Sequence, residues 1–221
     1  MSQVGSFHEN LFIPGCTFTA VFYSATLLLE RWLRHTHRIP GSSRPDIVRY
    51  GVFSCVFGFF GGSALLLISI CDVYRHAAAH WASTLVFVLC MAASSICQTI
   101  QVRRLGSLLS QDADADHSKS DEGSHDGHGQ GLKRSGRIKL VILVIALACT
   151  LSFAVLFGVC FTEPNTRAPS LRCNRVESAS ATFEWIVAFL FDLFLCTFIL
   201  DLAPAVTRRV SFECSGTVDG L

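Results

Sequence analysis

Five long runs of the chain contain almost no charged residue, and they limit the folds open to it. The runs cover residues 11–29, 50–71, 81–102, 140–162 and 185–200, and Asp192 is the only charged residue within them. A helix needs about 20 apolar residues to cross the hydrocarbon core of a bilayer. Of the 221 residues, 51% are hydrophobic and 16% are charged, which argues against an ordinary soluble globule. The sequence therefore predicts an all-α bundle of five transmembrane helices.

The expected spans follow these runs closely. We place them at about residues 15–33, 50–71, 81–102, 139–161 and 184–203, within one membrane bundle that covers residues 1–206. The first helix is expected to begin near Gly15, after Pro14. Glu30, Arg31 and Trp32 at its end are expected to lie in the membrane interface, where charged side chains extend towards water.

The two segments between and after these spans are polar. Residues 110–131 are rich in Asp, Ser, Gly and His and nearly free of apolar side chains, so they cannot bury enough surface to fold. We therefore expect a disordered cytosolic linker at 106–136, between the third and fourth spans. Residues 207–221 are expected to form a cytosolic tail.

The basic residues predict the orientation of the bundle. Of the 18 Lys and Arg residues, 14 fall in the segments at 31–49 and 103–139 and in the tail, and 4 fall on the other side. Short segments with many Lys and Arg stay in the cytosol. The N terminus is therefore expected outside or in the lumen, and the C terminus in the cytosol.

Small residues and cysteines predict two further contacts. Gly58 and Gly62 form a GxxxG pattern, which lets helix backbones approach closely, and we expect it to serve packing within the chain rather than a dimer. Cys173 lies in a predicted outer loop, and Cys160 and Cys71 lie near the same membrane face. One disulfide bond could form there, with either partner.

Asp192 lies in the middle of the fifth predicted span. A central Asp costs roughly 2.5–3.5 kcal/mol on insertion scales, so charged side chains in spans usually face the bundle interior or a cavity. We expect the same of Asp192, which could also serve a transporter as an intramembrane acid.

The sequence DVYRHAAAH at 72–80 is expected at the outer face. In a helix, residues four apart share one side, so Asp72, His76 and His80 would form a stripe, with Glu184 at the same depth. Carboxylates and imidazoles are competent zinc ligands and proton carriers. The alternative is that these groups only tie helix ends together, as ionisable groups in membrane proteins often do. The sequence leaves both interpretations open.

Several of these residues resemble one family of multi-pass membrane proteins. LFIPG near the start, ERWLRH at 30–35, the Asp72/Arg75/His76/His80 pattern, FEW at 183–185 and ILDLAPAV at 199–206 are similar to the family that contains the damage-regulated autophagy modulators (DRAM) and the fungal suppressor of phosphatidylinositol 4-kinase defects. The factors that remodel the lipid of GPI anchors resemble the chain more distantly. Family members typically have six spans, and SQVGSFHENLFIPG resembles the end of the loop after the first, so the resemblance implies that this first span is missing here.

The resemblance implies a protein without catalytic activity that regulates or scaffolds membrane lipid organisation, phosphoinositide signalling or autophagy. The plasma membrane is the expected location, with the vacuole or lysosome, the ER and the Golgi as alternatives. We expect no cofactor and no metal ion. The expected partners are membrane lipids, including anionic phosphoinositides, and another membrane protein, but no nucleic acid. The alternative is an enzyme of the GPI-lipid remodelling type, in which Asp72, His76, His80 and Glu184 would act on a lipid.

The segment at 31–49 is the candidate lipid-binding site. Basic side chains near a membrane attract anionic lipid by about 1 kcal/mol each. The expected headgroup contacts are Arg31, Arg34, Arg38 and Arg44.

Overall fold

The computed structural model describes residues 9–36, 44–71, 75–117, 126–161 and 171–215. Within these ranges the chain forms α-helices and no strand: α1 (Glu9–His35), α2 (Pro45–Ile70), α3 (Ala77–His117), α4 (Asp126–Phe161) and α5 (Leu171–Ser215). Each of the five contains a stretch long and apolar enough to cross a membrane. The prediction of an all-α bundle of membrane-spanning helices is confirmed.

The apolar stretches agree with the expected spans and are mostly longer. They run Asn10–His35, Pro45–Ile70, Ala77–Leu109, Gly131–Gly158 and Ser178–Leu202. The expected start of the first helix was wrong, because α1 passes through Pro14 without a break. Pro14 lies in the second turn, where its missing N–H removes one backbone hydrogen bond close to the exposed start of the helix.

The helical hairpin of α3 and α4 extends into the expected linker. The prediction of a disordered linker over 106–136 was wrong at both edges, because α3 continues to His117 and α4 begins at Asp126. A Cβ atom on Gly106 would lie 3.1 Å from the Lys133 backbone nitrogen, so the two helices approach closely here. Leu105, Leu132 and Ser135 are buried in this contact. Packing between the extensions supplies burial that each polar segment lacks alone.

Small residues let α2 pack tightly against its neighbours. Its buried face contains Gly51, Ser54, Gly58, Gly61, Gly62 and Ala64. A Cβ atom on Gly58 would collide with Leu27 of α1, and a Cβ atom on Gly62 would lie 3.4 Å from Ser24 Oγ. The GxxxG pattern therefore serves packing within the chain, as predicted.

Each helix packs on the next one along the chain, and α1 also touches α5. The buried apolar cluster contains Tyr23 and Leu27 from α1, Met91 from α3, and Phe194 and Phe198 from α5. The Tyr23 ring meets the rings of Phe191 and Phe198 edge-on. Large apolar side chains also cover the outward faces, as is required of helices surrounded by lipid.

The cysteines whose side chains the structure describes fall into two groups. Seven of these, including Cys71, are free thiols within the spans or at their ends. Cys173 is disulfide-bonded, as the sequence allowed. Cys71 is therefore not its partner, and the Cys160 side chain lies outside the described part of the molecule.

Candidate functional site

A fully buried ion pair joins α4 to α5. Lys139 Nζ lies 2.9 Å from Asp201 Oδ2, and neither side chain has any exposed surface. Ser135, one turn before Lys139, donates its hydroxyl to Asp201 Oδ1 at 2.6 Å. The Lys139 ammonium also lies over two aromatic rings, 3.9 Å from the centroid of Phe198 and 4.9 Å from that of Phe194. The pair thus combines charge attraction with cation–π contacts.

A second buried network joins α1 to α3. Glu30 Oε1 accepts hydrogen bonds from Nε of Arg34 at 2.9 Å and from its terminal nitrogen at 2.5 Å. Glu30 Oε2 accepts a hydrogen bond from Gln98 Nε2. Glu30 is 2% exposed and Arg34 is 8% exposed, so the charges are withdrawn from both water and lipid.

A third polar cluster lies deeper in the bundle. The Tyr23 hydroxyl is 2.8 Å from Ser94 Oγ, which is also 2.8 Å from the backbone oxygen of Ser54. Ser54 Oγ donates a hydrogen bond to the Ser94 carbonyl oxygen at 3.2 Å. These contacts connect α1, α2 and α3 without a charge.

Both charged networks lie at the same end of the bundle, because neighbouring helices run in opposite directions. This is the end predicted to face the cytosol. We call the set of Glu30, Arg34, Gln98, Ser135, Lys139 and Asp201 the buried polar layer. Each of its two carboxylates has a cation and a neutral donor as partners, so one network joins α1 to α3 and the other joins α4 to α5.

Exposed basic side chains surround the buried polar layer. We call them the basic rim, which consists of Arg44 directly before α2, Arg49 on α2, Arg103 and Arg104 on α3, and Lys133, Arg134 and Arg137 on α4. The Arg104 guanidinium lies 5.0 Å from the centroid of the Tyr50 ring. A Cβ atom on Gly136 would meet Arg103 Cγ at 2.7 Å, so the stem of Arg103 lies against α4. The rim therefore spans three helices and contains ordered arginines.

The expected headgroup contacts separate into different environments. Arg44 is exposed and Arg31 is half-buried, whereas Arg34 is buried and bound to Glu30. Arg38 lies outside the described residues. Glu30 is buried on an inward stripe of α1 with Tyr23, Leu27 and Arg34, so its side chain does not extend towards water. Its position at the depth of the membrane interface stays a prediction.

The outer-face residues are only partly described. Asp72 lies outside the described residues, and His76 is exposed in the turn before α3, so no helical stripe includes it. His80 is buried, and its Nδ1 lies 2.9 Å from the Cys71 carbonyl oxygen. A carbonyl only accepts, so Nδ1 carries the proton and His80 ties the end of α2 to the start of α3. Glu184 is half-buried. In the described ranges no three His, Cys, Asp or Glu side chains are grouped to hold a metal ion.

Asp192 lies on the outside of the bundle. The expectation that it faces the interior or a cavity was wrong, because its side chain is exposed. The buried stripe of α5 contains Phe194, Thr197, Phe198 and Asp201. Asp192 precedes Phe194 by two residues, which is about 200° around a helix axis, and therefore points away from this stripe.

The comparison with known proteins agrees with this architecture. The family model for the Frag1/DRAM/Sfk1/Cwh43P N-terminal domain matches residues 1–205. The chain belongs to this family. It is thus an integral multi-pass membrane protein, as the five apolar helices also indicate.

One curated relative gives the extent of the similarity. Protein sfk1 of Schizosaccharomyces pombe is 28% identical over 209 residues, which is 93% of this chain and 53% of the relative. The chain therefore spans about half the length of the curated relative that it matches. No solved structure matches the chain.

The buried polar layer was not predicted from the sequence. In the sequence Lys139 is one of the expected cytosolic basic residues, and Asp201 is part of the segment that resembles the family. One signal was present: Tyr23, Leu27, Glu30 and Arg34 follow a spacing of four, three and four, which places a charged pair on the same helix face as two core residues. Lys139 and Asp201 gave no such local signal, because their pairing depends on how α4 and α5 are rotated.

Proposed function

We propose that this protein is a non-enzymatic regulator or scaffold of membrane lipid organisation, and that its basic rim binds the headgroups of anionic lipids such as phosphoinositides. One observation carries the proposal. At a single end of the bundle, the buried charges are paired with each other, while basic side chains on three helices remain exposed. The first group holds the helices in place, and the second presents positive charge at the depth of lipid phosphates.

Family membership supports an integral multi-pass membrane protein. The lipid-binding role itself is part of the proposal. The expected phosphoinositide or autophagy-type role, at the plasma membrane or an endomembrane, is consistent with a basic rim at the cytosolic face. Each exposed basic residue near an anionic membrane surface contributes about 1 kcal/mol of attraction. Loss of two arginines from the rim would therefore weaken lipid binding by about thirtyfold.

The test compares two pairs of arginines at opposite ends of the bundle. The protein is placed in nanodiscs of neutral lipid and titrated with a short-chain phosphoinositide. Arg103→Gln/Arg137→Gln is expected to weaken binding by about thirtyfold, because both residues belong to the rim. Arg75→Gln/Arg175→Gln is the matched control, since both are exposed at the other end and should leave affinity unchanged. If both double variants bind the phosphoinositide with the same affinity, the rim serves only to orient the protein during insertion.

The enzyme alternative makes a different prediction at the outer face. His76 is exposed and His80 binds the Cys71 carbonyl. His80→Asn keeps an N–H donor near the position of Nδ1 but removes the second ring nitrogen, which an enzyme would need as a base or metal ligand. For a regulator, we expect the His76→Gln/His80→Asn form to restore the lipid profile of cells that lack the protein.

The lipid profile is measured together with the zinc content of the purified protein. A double variant that is expressed normally but leaves the lipid profile as in the deletion, and that loses stoichiometric zinc, would contradict the non-enzymatic proposal. His80→Leu is the control for structure, because it removes the bond to Cys71 and should lower stability where His80→Asn does not.

A further inference from the structure

Asp192 stands apart from the other polar groups on the lipid-facing surface. The apolar stretch of α5 runs Ser178–Leu202, so Asp192 lies close to the middle of the membrane. Its side chain is exposed, and no hydrogen bond or ion pair joins it to another described residue. Neighbouring lipid tails offer neither donors nor acceptors.

Hydroxyl groups near the lipid are satisfied in another way. Ser63, Thr150 and Ser152 each donate to the carbonyl four residues earlier in their own helix, at 2.8–2.9 Å. An ionised carboxylate has no such route, because the N–H groups of its helix are already used by the backbone. A protonated carboxyl could donate in this way, but the Asp192 carboxyl makes no hydrogen bond to a carbonyl in the described residues. Asp192 therefore needs a partner from outside the described bundle.

Asp192 lies at the centre of a regular outward stripe of α5. Trp185, Phe189, Asp192, Cys196 and Ile199 follow one another at spacings of four, three, four and three residues. All five are exposed, with exposed fractions of 41% for Trp185, 61% for Phe189 and 69% for Ile199. This spacing is that of the contact positions of a left-handed helix pair, in which one central polar residue fixes the register. We call the stripe the α5 seam.

We propose that the α5 seam binds the same seam of a second copy of this chain, with the two Asp192 carboxyl groups hydrogen-bonded to each other. All copies enter the membrane in one orientation, so a twofold axis along the membrane normal places identical residues at equal depth. The other four apolar runs contain no charged residue at any depth, so a second copy offers Asp192 no cation. A protonated carboxyl on one copy can donate to the carboxyl of the other.

Cys196 makes the proposal testable, since it lies one turn from Asp192 in the same seam. It is the only exposed thiol among the free cysteines that the structure describes. The full chain, carrying Cys214→Ser, is treated in native membranes with a short bis-maleimide. We expect a linked dimer, which Cys196→Ser abolishes. Asp192→Leu should reduce the linked fraction about tenfold, whereas Asp192→Asn, which keeps a donor and an acceptor, should retain it.

A second measurement tests whether the cross-linking result arises from misfolding or from random collisions between copies in the membrane. The protein is extracted in nanodiscs with a fluorescent label, and its copies are counted by photobleaching steps. Two steps for the unsubstituted chain and one for Asp192→Leu, with equal thermal stability of both, would agree with the proposal. Three results would overturn the proposal. The unsubstituted chain could bleach in single steps, the dimer could persist in Asp192→Leu, or Cys196 could be linked to a different protein.

Discussion

Replacing Lys139 by methionine is expected to destabilise the protein by about 3–5 kcal/mol. The methionine fills most of the same space, but the change leaves the Asp201 carboxylate fully buried with Ser135 as its remaining donor. Breaking a buried ion pair costs this much because one charge stays in a medium of low polarity without its counter-charge. Asp201→Leu should cost a similar amount, since the ammonium would keep only its contacts with the rings of Phe194 and Phe198.

The double variant distinguishes the ion pair from simple packing. Lys139→Met/Asp201→Leu removes both charges, and its stability should lie closer to that of the unsubstituted protein than to that of either single variant. The midpoint of unfolding in mixed micelles containing increasing amounts of SDS, followed by tryptophan fluorescence, measures all three. Lys133→Met is the matched control, because Lys133 is an exposed lysine on the same helix. If the single effects add in the double variant, the pair is not coupled and this account of it is wrong.

The spans were predictable from the sequence because a helix surrounded by lipid must consist almost entirely of apolar residues. A charge-free stretch of about 20 residues satisfies that condition without reference to the rest of the fold. The helix ends were less predictable. Residues 106–117 and 126–136 look too polar to fold, yet α3 and α4 continue there. Gly106 and Gly136 allow the two helices to approach each other. The sequence around each glycine does not indicate which residues of the other helix it contacts.

The buried polar layer could not be predicted for a related reason. Runs that are apolar on every face do not specify which side turns inward, so the sequence gives no rotation for α4 or α5. Lys139 and Asp201 lie 62 positions apart, and their contact exists only once both rotations are known. The wrong expectation for Asp192 has the same origin, since the usual rule for acids in membranes does not give the rotation of α5.

The charged residues at this end of the bundle belong to two groups, the buried polar layer and the exposed basic rim. Glu30 and Asp201 use their oxygens for groups on their own or neighbouring helices, and this fixes the helix ends at one level. Residues of the basic rim lie on those same helix ends or beside them. The rigidity of the layer would therefore control the spacing of the positive charges, which links the stability of the bundle to its proposed lipid binding.

Glu30→Leu is the second substitution expected to have a large effect, with a loss of about 3 kcal/mol. Glu30 receives hydrogen bonds from both Arg34 and Gln98, so its removal takes a carboxylate partner from a buried guanidinium and an acceptor from a buried amide. The loss should fall at the lower end of the range for broken buried pairs. Arg34 lies in the last turn of α1, and its long side chain can reach the interface once it is released.

The partners of Glu30 give the experiment its internal comparison. Gln98→Leu should cost less than Glu30→Leu, about 1.5–3 kcal/mol, because it removes one hydrogen bond to a charge and leaves the Arg34 pair intact. Glu30→Leu/Arg34→Leu should recover part of the loss caused by Glu30→Leu, since the buried guanidinium that lost its carboxylate is removed as well. Arg31→Leu, on the half-buried side of the same turn, is the matched control and should stay within about 0.5 kcal/mol in the same SDS titration. A larger effect for Arg31→Leu than for Glu30→Leu would show that the interface, rather than the buried network, stabilises the end of α1.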